Sequence, residues 1–494
     1  MRVDTPITNP EANRHMNKIY PAWTVGFAKE HNATPETFVP ATVPGAVQLD
    51  WARANGWVPY WYADNYKDYM WMEDVFWTYQ TTLDFSEMPV DHEAWFSCKG
   101  IDYTWEIYVN DNVLEKREGM FSPILINLTE VGAKHGDVLK VHIHPIPKQH
   151  RNGIDRWQAD RTCKPPCAYS WDWHPRLVPS GIWDDTVIEF YRHSRFTQAD
   201  VDYTLDRHRH TAHVTATVEL TEINGVILKT EVIAPDGERI AEHSIAPEEE
   251  VIAFKFDLKD IKLWWPYDHG DQPLYTLQFT LTHTDGSILD KHTQRVGLRT
   301  IRLVMNPEEW DRPEAFPKSR SNPPITLEIN GRSIFTKGTN WVPPEIFPGK
   351  ITRATYLPLL DYAKESNFNI IRCWGGGIVN KESFYNLCDE MGLMVWSEFT
   401  LACLPYEDDP HYLQILEQES EAIISRVKQH TSNILWCGGN ELFNSWSGMT
   451  DQSKALRLLN AQCYDLDPDT PFLPTSPVAG MGHGHYVFCD IEGK

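Results

Sequence analysis

Through residue 300 the hydrophobic positions repeat at the short period of extended chain. From about residue 70 to 190, runs rich in β-branched and aromatic residues are separated by turn residues and predict strands. These are Val75–Leu83, Ala94–Cys98, Trp105–Val109 leading into the tight-turn signal Asn110-Asp111-Asn112, and the alternating Val138–Ile143. The pattern predicts a β-sandwich, assigned to residues 1–195. A second strand-rich block contains His213–Leu220, Leu228–Ile233 and Leu274–Leu281. About 100 residues with strands at this spacing predict an immunoglobulin-like sandwich, over 196–305.

Beyond a polar, proline-bearing link at Asn306–Pro324 the period changes. Strands are expected at Ser333–Asn340, Asn369–Trp374, Leu393–Trp396, Ile434–Cys437 and Phe472–Thr475. Helices are expected between them at Thr352–Ser366, Lys381–Met391, Tyr412–His430 and Ser453–Tyr464. Strict β-α alternation argues for a parallel sheet, and strand-first units of this length suit a (β/α)8 barrel over 320–494. Such a barrel needs about 250 residues, whereas the chain after the link runs only from 325 to 494. The expectation is therefore the amino-terminal part of a barrel.

Composition narrows the function classes. The net charge is −24 with no offsetting basic stripe, which argues against nucleic acid or an anionic membrane surface as a partner. No apolar run approaches the roughly 20 residues that cross a bilayer, and the first ten residues lack the apolar core of a secretory signal, so a cytoplasmic location is expected. Nine cysteines are an odd and sparse set that fits reduced thiols. Twenty tryptophans exceed what a 41% hydrophobic chain needs for its core. Surplus indoles serve either as core or as flat platforms for the C–H faces of sugars.

Barrel enzymes carry their reactive groups at the carboxyl ends of the strands. Here those ends are Asn340-Trp341, Trp374-Gly-Gly-Gly377, Glu398 and Asn440-Glu441. A carboxyl at a strand end among aromatics is placed to work as an acid; the bland alternative for Glu441 is a solvated loop carboxylate. The neighbouring Asn440, whose amide can hold a sugar hydroxyl, favours the functional reading.

The segment His430-Thr-Ser-Asn-Ile-Leu-Trp-Cys-Gly-Gly-Asn-Glu441 resembles the acid/base segment of glycoside hydrolase family 2, in its β-mannosidase branch. So do Lys337–Pro343, Asn369–Gly377, Phe384–Gly392, Leu263-Trp-Trp-Pro266, Ser170-Trp-Asp-Trp-His-Pro-Arg176 and Gly181-Ile-Trp183. The resemblance implies a sugar-binding sandwich, an immunoglobulin-like sandwich and a barrel, acting on terminal β-linked mannose of oligosaccharides without metal or organic cofactor. It implies general acid/base action by Glu441 and a 2-hydroxyl contact by Asn440. Further sugar contacts would come from Asp172, Trp173, Trp374, Trp446, His485 and Tyr486. The family's nucleophile is a Glu of the seventh strand, expected outside this chain. Glu398 superficially resembles it but sits at the third strand, and reads as a decoy. Rival readings are an endo-β-mannosidase or exo-β-glucosaminidase, kept open by Gly438-Gly439, and a silent carbohydrate-binding fragment. The pattern specifies no oligomeric state.

Other signals have blander readings. Trp374-Gly-Gly-Gly377 lacks the Gly-Lys-Ser/Thr ending of a phosphate loop and reads as backbone needing room beside a sugar. His208 and His210 are expected on one face of a strand, with no third ligand nearby. Cys163-Lys-Pro-Pro-Cys167 lacks the spacing of a redox or zinc pair, and Pro247-Glu-Glu-Glu250 reads as solvated surface. Trp264 and Trp265 read as packing anchors between domains.

Overall fold

The computed structural model describes residues 18–148, 155–192, 194–307 and 325–477. In the first sandwich a six-stranded sheet runs in the order Val39–Ala41, Trp23–Ala28, Phe76–Thr82, Val138–Ile143, Thr104–Val109, Asn112–Glu118. It faces a four-stranded sheet of Lys18–Ile19, Thr186–Tyr191, Glu93–Cys98 and Ile124–Asn127. The period-two pattern turns Trp77, Tyr79, Phe96, Ile107, Val141 and Ile143 into one buried core. The second sandwich has seven strands, three (Phe196–Leu205, Thr211–Leu220, Val251–Lys259) against four (Arg239–Ile245, Val226–Ile233, Tyr275–His283, Ile288–Val296). This split matches the constant-type immunoglobulin architecture.

The barrel part is a parallel sheet of β1 (Gly338–Trp341), β2 (Ile370–Cys373), β3 (Met394–Glu398), β4 (Asn433–Cys437) and β5 (Phe472–Leu473), in that order. Helices α1 (Arg353–Glu365), α2 (Glu382–Met391), α3 (Pro410–Val427) and α4 (Lys454–Leu466) connect successive strands. Ile371 and Val395 pack into the helix-side core with Leu360, Leu387 and Ile424. Arg372 lies beside Trp396 in register, and Glu398 follows two residues on, so these three share the opposite face of the sheet.

Two details differ from the sequence reading. Ser333–Asn340 is not one strand: Arg332–Ile334 folds back on Ile325–Ile329, which pairs with Ile301–Met305, and only Gly338–Trp341 joins the parallel sheet. This small antiparallel sheet shares a core with Met394, Ile434 and Leu435, the amino-terminal parts of β3 and β4. His208 and His210 are not on a strand. They sit in the turn between Leu205 and Thr211, where Asp206 accepts hydrogen bonds from the backbone of His208, His210 and Thr211.

Trp264 is fully buried in the core beneath β3 and β4, and its indole donates to Asp389 O at 2.9 Å. All eight cysteines among the described residues are free and buried. Among the described residues no helix is long and apolar enough to cross a membrane.

A buried carboxylate of the barrel helps to fasten the first sandwich to it. Glu419, on α3 and fully buried, accepts from the backbone N–H groups of Met120, Phe121 and Ser122 at 2.5–3.2 Å and from Ser122 Oγ at 2.6 Å. Gly119 has a φ of +124°, and a Cβ there would meet the Glu419 carboxyl at 2.5 Å, so only glycine lets the loop close over it. Removing the acceptor strands three buried donors, each costing about 1–3 kcal/mol. Glu419→Ala is expected to lower the melting temperature and expose the 119–122 loop to proteolysis. Glu421→Ala, on an exposed position of the same helix, is expected to change neither.

Candidate active site at the carboxyl ends of the parallel strands

The centre of the strand-end surface is Arg372. Its guanidinium grips Glu398 through two bonds, Nε to Oε1 and a terminal nitrogen to Oε2, both 2.9 Å. The same nitrogen donates to Asn440 Oδ1 at 2.7 Å, and the other reaches Asn340 Oδ1 at 2.9 Å. One side chain of β2 therefore ties together the ends of β1, β3 and β4. Glu398 also accepts from Gly375 N at 2.8 Å and is 5% exposed. With its charge matched by a bidentate guanidinium, Glu398 is held in place as the partner of Arg372.

The glycines of this surface answer to the protein backbone. A Cβ on Gly375 would meet the carbonyls of Leu401 and Phe399 at 2.7 Å, one on Gly376 the Trp374 indole, and one on Gly377 the Pro343 ring at 2.9 Å. The room reserved at Trp374-Gly-Gly-Gly377 is thus taken by neighbouring chain, and no sugar is needed to explain it. The same holds for Gly438 and Gly439, whose added Cβ atoms would each lie 2.4 Å from a carbonyl oxygen, of Pro474 and Leu401 respectively.

Asn440 is buried beyond the end of β4 and bonded through its backbone to Leu401 O at 2.9 Å. Its side-chain amide is held by Arg372 at one end and by Cys403 Sγ, at 3.3 Å, at the other. Glu441 follows in the left-handed region, φ +52°, which an ordinary side chain adopts only at a cost of about 1–2 kcal/mol. Several bonds hold it there. Its N–H donates to Ser476 O at 2.8 Å, and its carbonyl accepts from Ser447 Oγ at 3.0 Å and from the Asn444 amide. The carboxyl is half-buried and receives the Cys403 thiol, Sγ to Oε2 at 3.4 Å. Burial first, and then the Glu441 charge, push that thiol up to about 12, so it stays protonated and donating at neutral pH.

An aromatic cluster adjoins this pair. Trp374 meets Trp171 edge-on at 4.7 Å and Trp173 at 5.7 Å between ring centroids. The Arg156 guanidinium lies 4.1 Å over the Trp171 ring, and its charge is felt at the Cys403 thiol. Trp374 leads directly into Gly375, whose backbone abuts Asn440 N. Trp173 keeps 48% of its surface exposed, as a platform does. The loop carrying Trp171 and Trp173 belongs to the first sandwich and is fixed to the barrel by Thr400 Oγ1 donating to Cys163 O at 2.8 Å and Cys167 N donating to Gly376 O at 3.1 Å. Behind it the fully buried Lys164 pairs with the equally buried Asp102 and donates to Pro179 O at 2.9 Å. Burial lowers the pKa of that ammonium and raises that of its carboxyl partner.

Of the sequence-derived site residues, Asn440, Glu441, Trp374 and Trp173 come together on this surface. Asp172 lies on the same loop, but its side chain is 85% exposed and 3.6 Å from Arg156, turned to solvent. Trp446, 53% exposed, stands on the turn that Asn444 and Ser447 close over Glu441. His485 and Tyr486 lie outside the described residues. Arg156, Trp171, Arg372 and Cys403 escaped the sequence reading. Trp171 and Arg372 lie inside quoted motifs, whereas no local signal marks Arg156 or Cys403.

Three family models match the chain in succession: the glycosyl hydrolase 2 galactose-binding domain-like model over residues 23–184, the glycosyl hydrolases family 2 model over 194–299, and the family 2 TIM barrel domain over 325–471. A β-mannosidase B of Aspergillus terreus is 27% identical over 438 residues, covering 85% of this chain and 50% of its own. The β-mannosidase of Rattus norvegicus is 28% identical over 454 residues, covering 83% and 48%. The chain thus spans about half the length of the curated relatives it matches. The crystal structure of the β-D-mannosidase from Dictyoglomus thermophilum superposes with a TM-score of 0.79 at 27% identity, covering 93% of this chain and 57% of that one. Three consecutive domain models in family order, over a structure with the same three layers, lead to one conclusion: the chain belongs to glycoside hydrolase family 2, in its β-mannosidase branch.

Proposed function

We propose that this chain carries the acid/base half of a retaining exo-β-mannosidase site, with Glu441 as general acid and then general base. The observation that carries the reading is the Glu441 carboxyl, held in a strained backbone conformation at a strand end beside a fixed Asn440. Strain of this kind persists where surrounding bonds over-determine it, and such places cluster at active sites. The relatives named β-mannosidase support the substrate class.

In this reading the acid protonates the leaving glycosidic oxygen, while a carboxylate about 5–5.5 Å away attacks the anomeric carbon. Water then cleaves the glycosyl-enzyme, with Glu441 taking its proton. The nucleophile is a carboxylate of a later barrel strand. Asn440, its amide oriented by Arg372 and Cys403, is set to bond the 2-hydroxyl, which is axial in mannose. The Trp374 and Trp173 rings offer apolar faces to the sugar's C–H bonds.

The deciding experiment compares aryl β-mannosides with aryl β-glucosaminides on the protein carrying the complete barrel, together with mannoside binding by the 494-residue chain. Preferred turnover of the mannoside is expected. Preference for the glucosaminide overturns the substrate assignment, and saturable binding without turnover leaves a carbohydrate-binding protein. Glu441→Gln is expected to cut hydrolysis of poor leaving groups by about 10²–10⁴-fold and that of activated aryl mannosides far less. An equal loss on both removes the acid role. Glu398→Ala, which leaves the buried Arg372 charge unpaired, is expected to cost about 3–5 kcal/mol of stability. Unchanged or higher melting in that variant would instead be the behaviour of a nucleophile.

A further inference from the structure

The six-stranded sheet of the first sandwich buries Trp77, Tyr79, Val141 and Ile143 on its inner face. Its outer face is polar at one end. There His142 lies opposite Glu106 on one side and Thr78 on the other. His144 follows two residues later on the same face, and the segment after Trp23–Ala28 brings His31 over it. Glu106 Oε1 is 3.3 Å from His144 Nε2 and 3.6 Å from His31 Nε2, and the three ligand atoms lie within 4.8 Å of one another. A tetrahedral ion with bonds of about 2.0–2.1 Å has ligand-to-ligand edges of about 3.3–3.4 Å, so two of the three edges nearly fit before any movement.

The surroundings are those of a ligand set. The Asn32 amide nitrogen lies 3.0 Å from His31 Nδ1, so an ion on Nε2 requires that amide to turn and accept from Nδ1–H through its oxygen. The Tyr108 hydroxyl occupies Glu106 Oε2, which leaves Oε1 facing the imidazoles. A third imidazole, His142, stands 5.6 Å and 5.8 Å from the His31 and His144 rings, with its Nδ1 on Thr78 Oγ1 at 3.0 Å. Its Nε2 is buried and makes no hydrogen bond among the described residues. The competitor is Lys116, whose ammonium is 3.0 Å from Glu106 Oε1 but 56% exposed, free to swing into water when an ion enters.

We propose that His31, Glu106 and His144 form a site for a borderline divalent transition-metal ion of the zinc class, with a water as fourth ligand. Two imidazoles and one carboxylate suit such an ion better than the all-oxygen sets that calcium and magnesium take. The ion joins the segment after Trp23–Ala28 to the neighbouring strands Thr104–Val109 and Val138–Ile143. It is separate from the strand-end chemistry and independent of the mannosidase reading.

The test titrates the metal-stripped 494-residue chain with Zn²⁺ by calorimetry and repeats the titration with Co²⁺ by absorption. One site per chain is expected, with the visible bands of four-coordinate cobalt. His31→Ala, at a half-exposed side chain whose loss does not threaten folding, is expected to weaken binding by more than the roughly 10–100-fold that loss of an outer partner costs, and to abolish the cobalt bands. Lys116→Met removes the competing cation and is expected to tighten binding. No uptake by the parent chain, equal affinity in His31→Ala, or a weaker site in Lys116→Met overturns the proposal. His144→Ala is read only alongside its melting curve, since a folding defect there leaves the other two variants to decide.

Discussion

The Arg372 guanidinium is the interaction on which the strand-end surface depends. Parallel strands meet through their backbones, which sets their spacing but says nothing about what their ends present. A single buried fork on β2, satisfied by Asn340, Glu398 and Asn440 together, turns four strand ends into one rigid polar layer. Its charge is tolerated there because a bidentate carboxylate neutralises it and two amide oxygens take two further donors. Asn440 is thereby oriented before any ligand arrives, and Glu441 inherits its position from Asn440.

A second constraint comes from outside the barrel. Trp171, Trp173 and Arg156 belong to the first sandwich, yet they stand against Trp374 and the Cys403–Glu441 pair. The loop that brings them is fixed at its base by the buried Lys164–Asp102 pair and at its top by bonds to Thr400 and Gly376. On another side of the domain, Glu419 reaches from α3 to cap the 119–122 loop. These bonds position the sandwich, so that its aromatic residues become one wall of a site whose floor is the parallel sheet.

Strain appears where this layered arrangement is tightest. Cys403 and Glu441 both adopt left-handed backbone, φ +55° and +52°, and the Cys403 N–H bonds Asn440 O at 3.0 Å. Two adjoining turns are thus locked to each other. The Gly438-Gly439 step before Glu441 has no room for a Cβ, which explains the two glycines at this approach.

Much of this was legible in the chain itself. Period-two alternation located the strands of both sandwiches, and the change to helical spacing located the βα units, because each depends only on which residues must face a core. The motif around Asn440-Glu441 was legible because the residue types a strand end needs are contiguous. Interactions between distant segments were not. Nothing near Glu398 says that Arg372, 26 residues away, neutralises it. Nothing near Cys403 says that its thiol meets Glu441, and nothing near Arg156 says that it stacks on Trp171. The reading of Ser333–Asn340 as one strand failed for the same reason, since pairing with Ile325–Ile329 and with Ile370–Cys373 divides it. The sequence by itself therefore determined the elements and their order and singled out Asn440-Glu441 as the candidate pair, which rest on local periodicity and turn chemistry. Only the tertiary structure decided which carboxylate is neutralised, which aromatic rings form a wall and which histidines converge, since charge pairing and burial are set by neighbours in space.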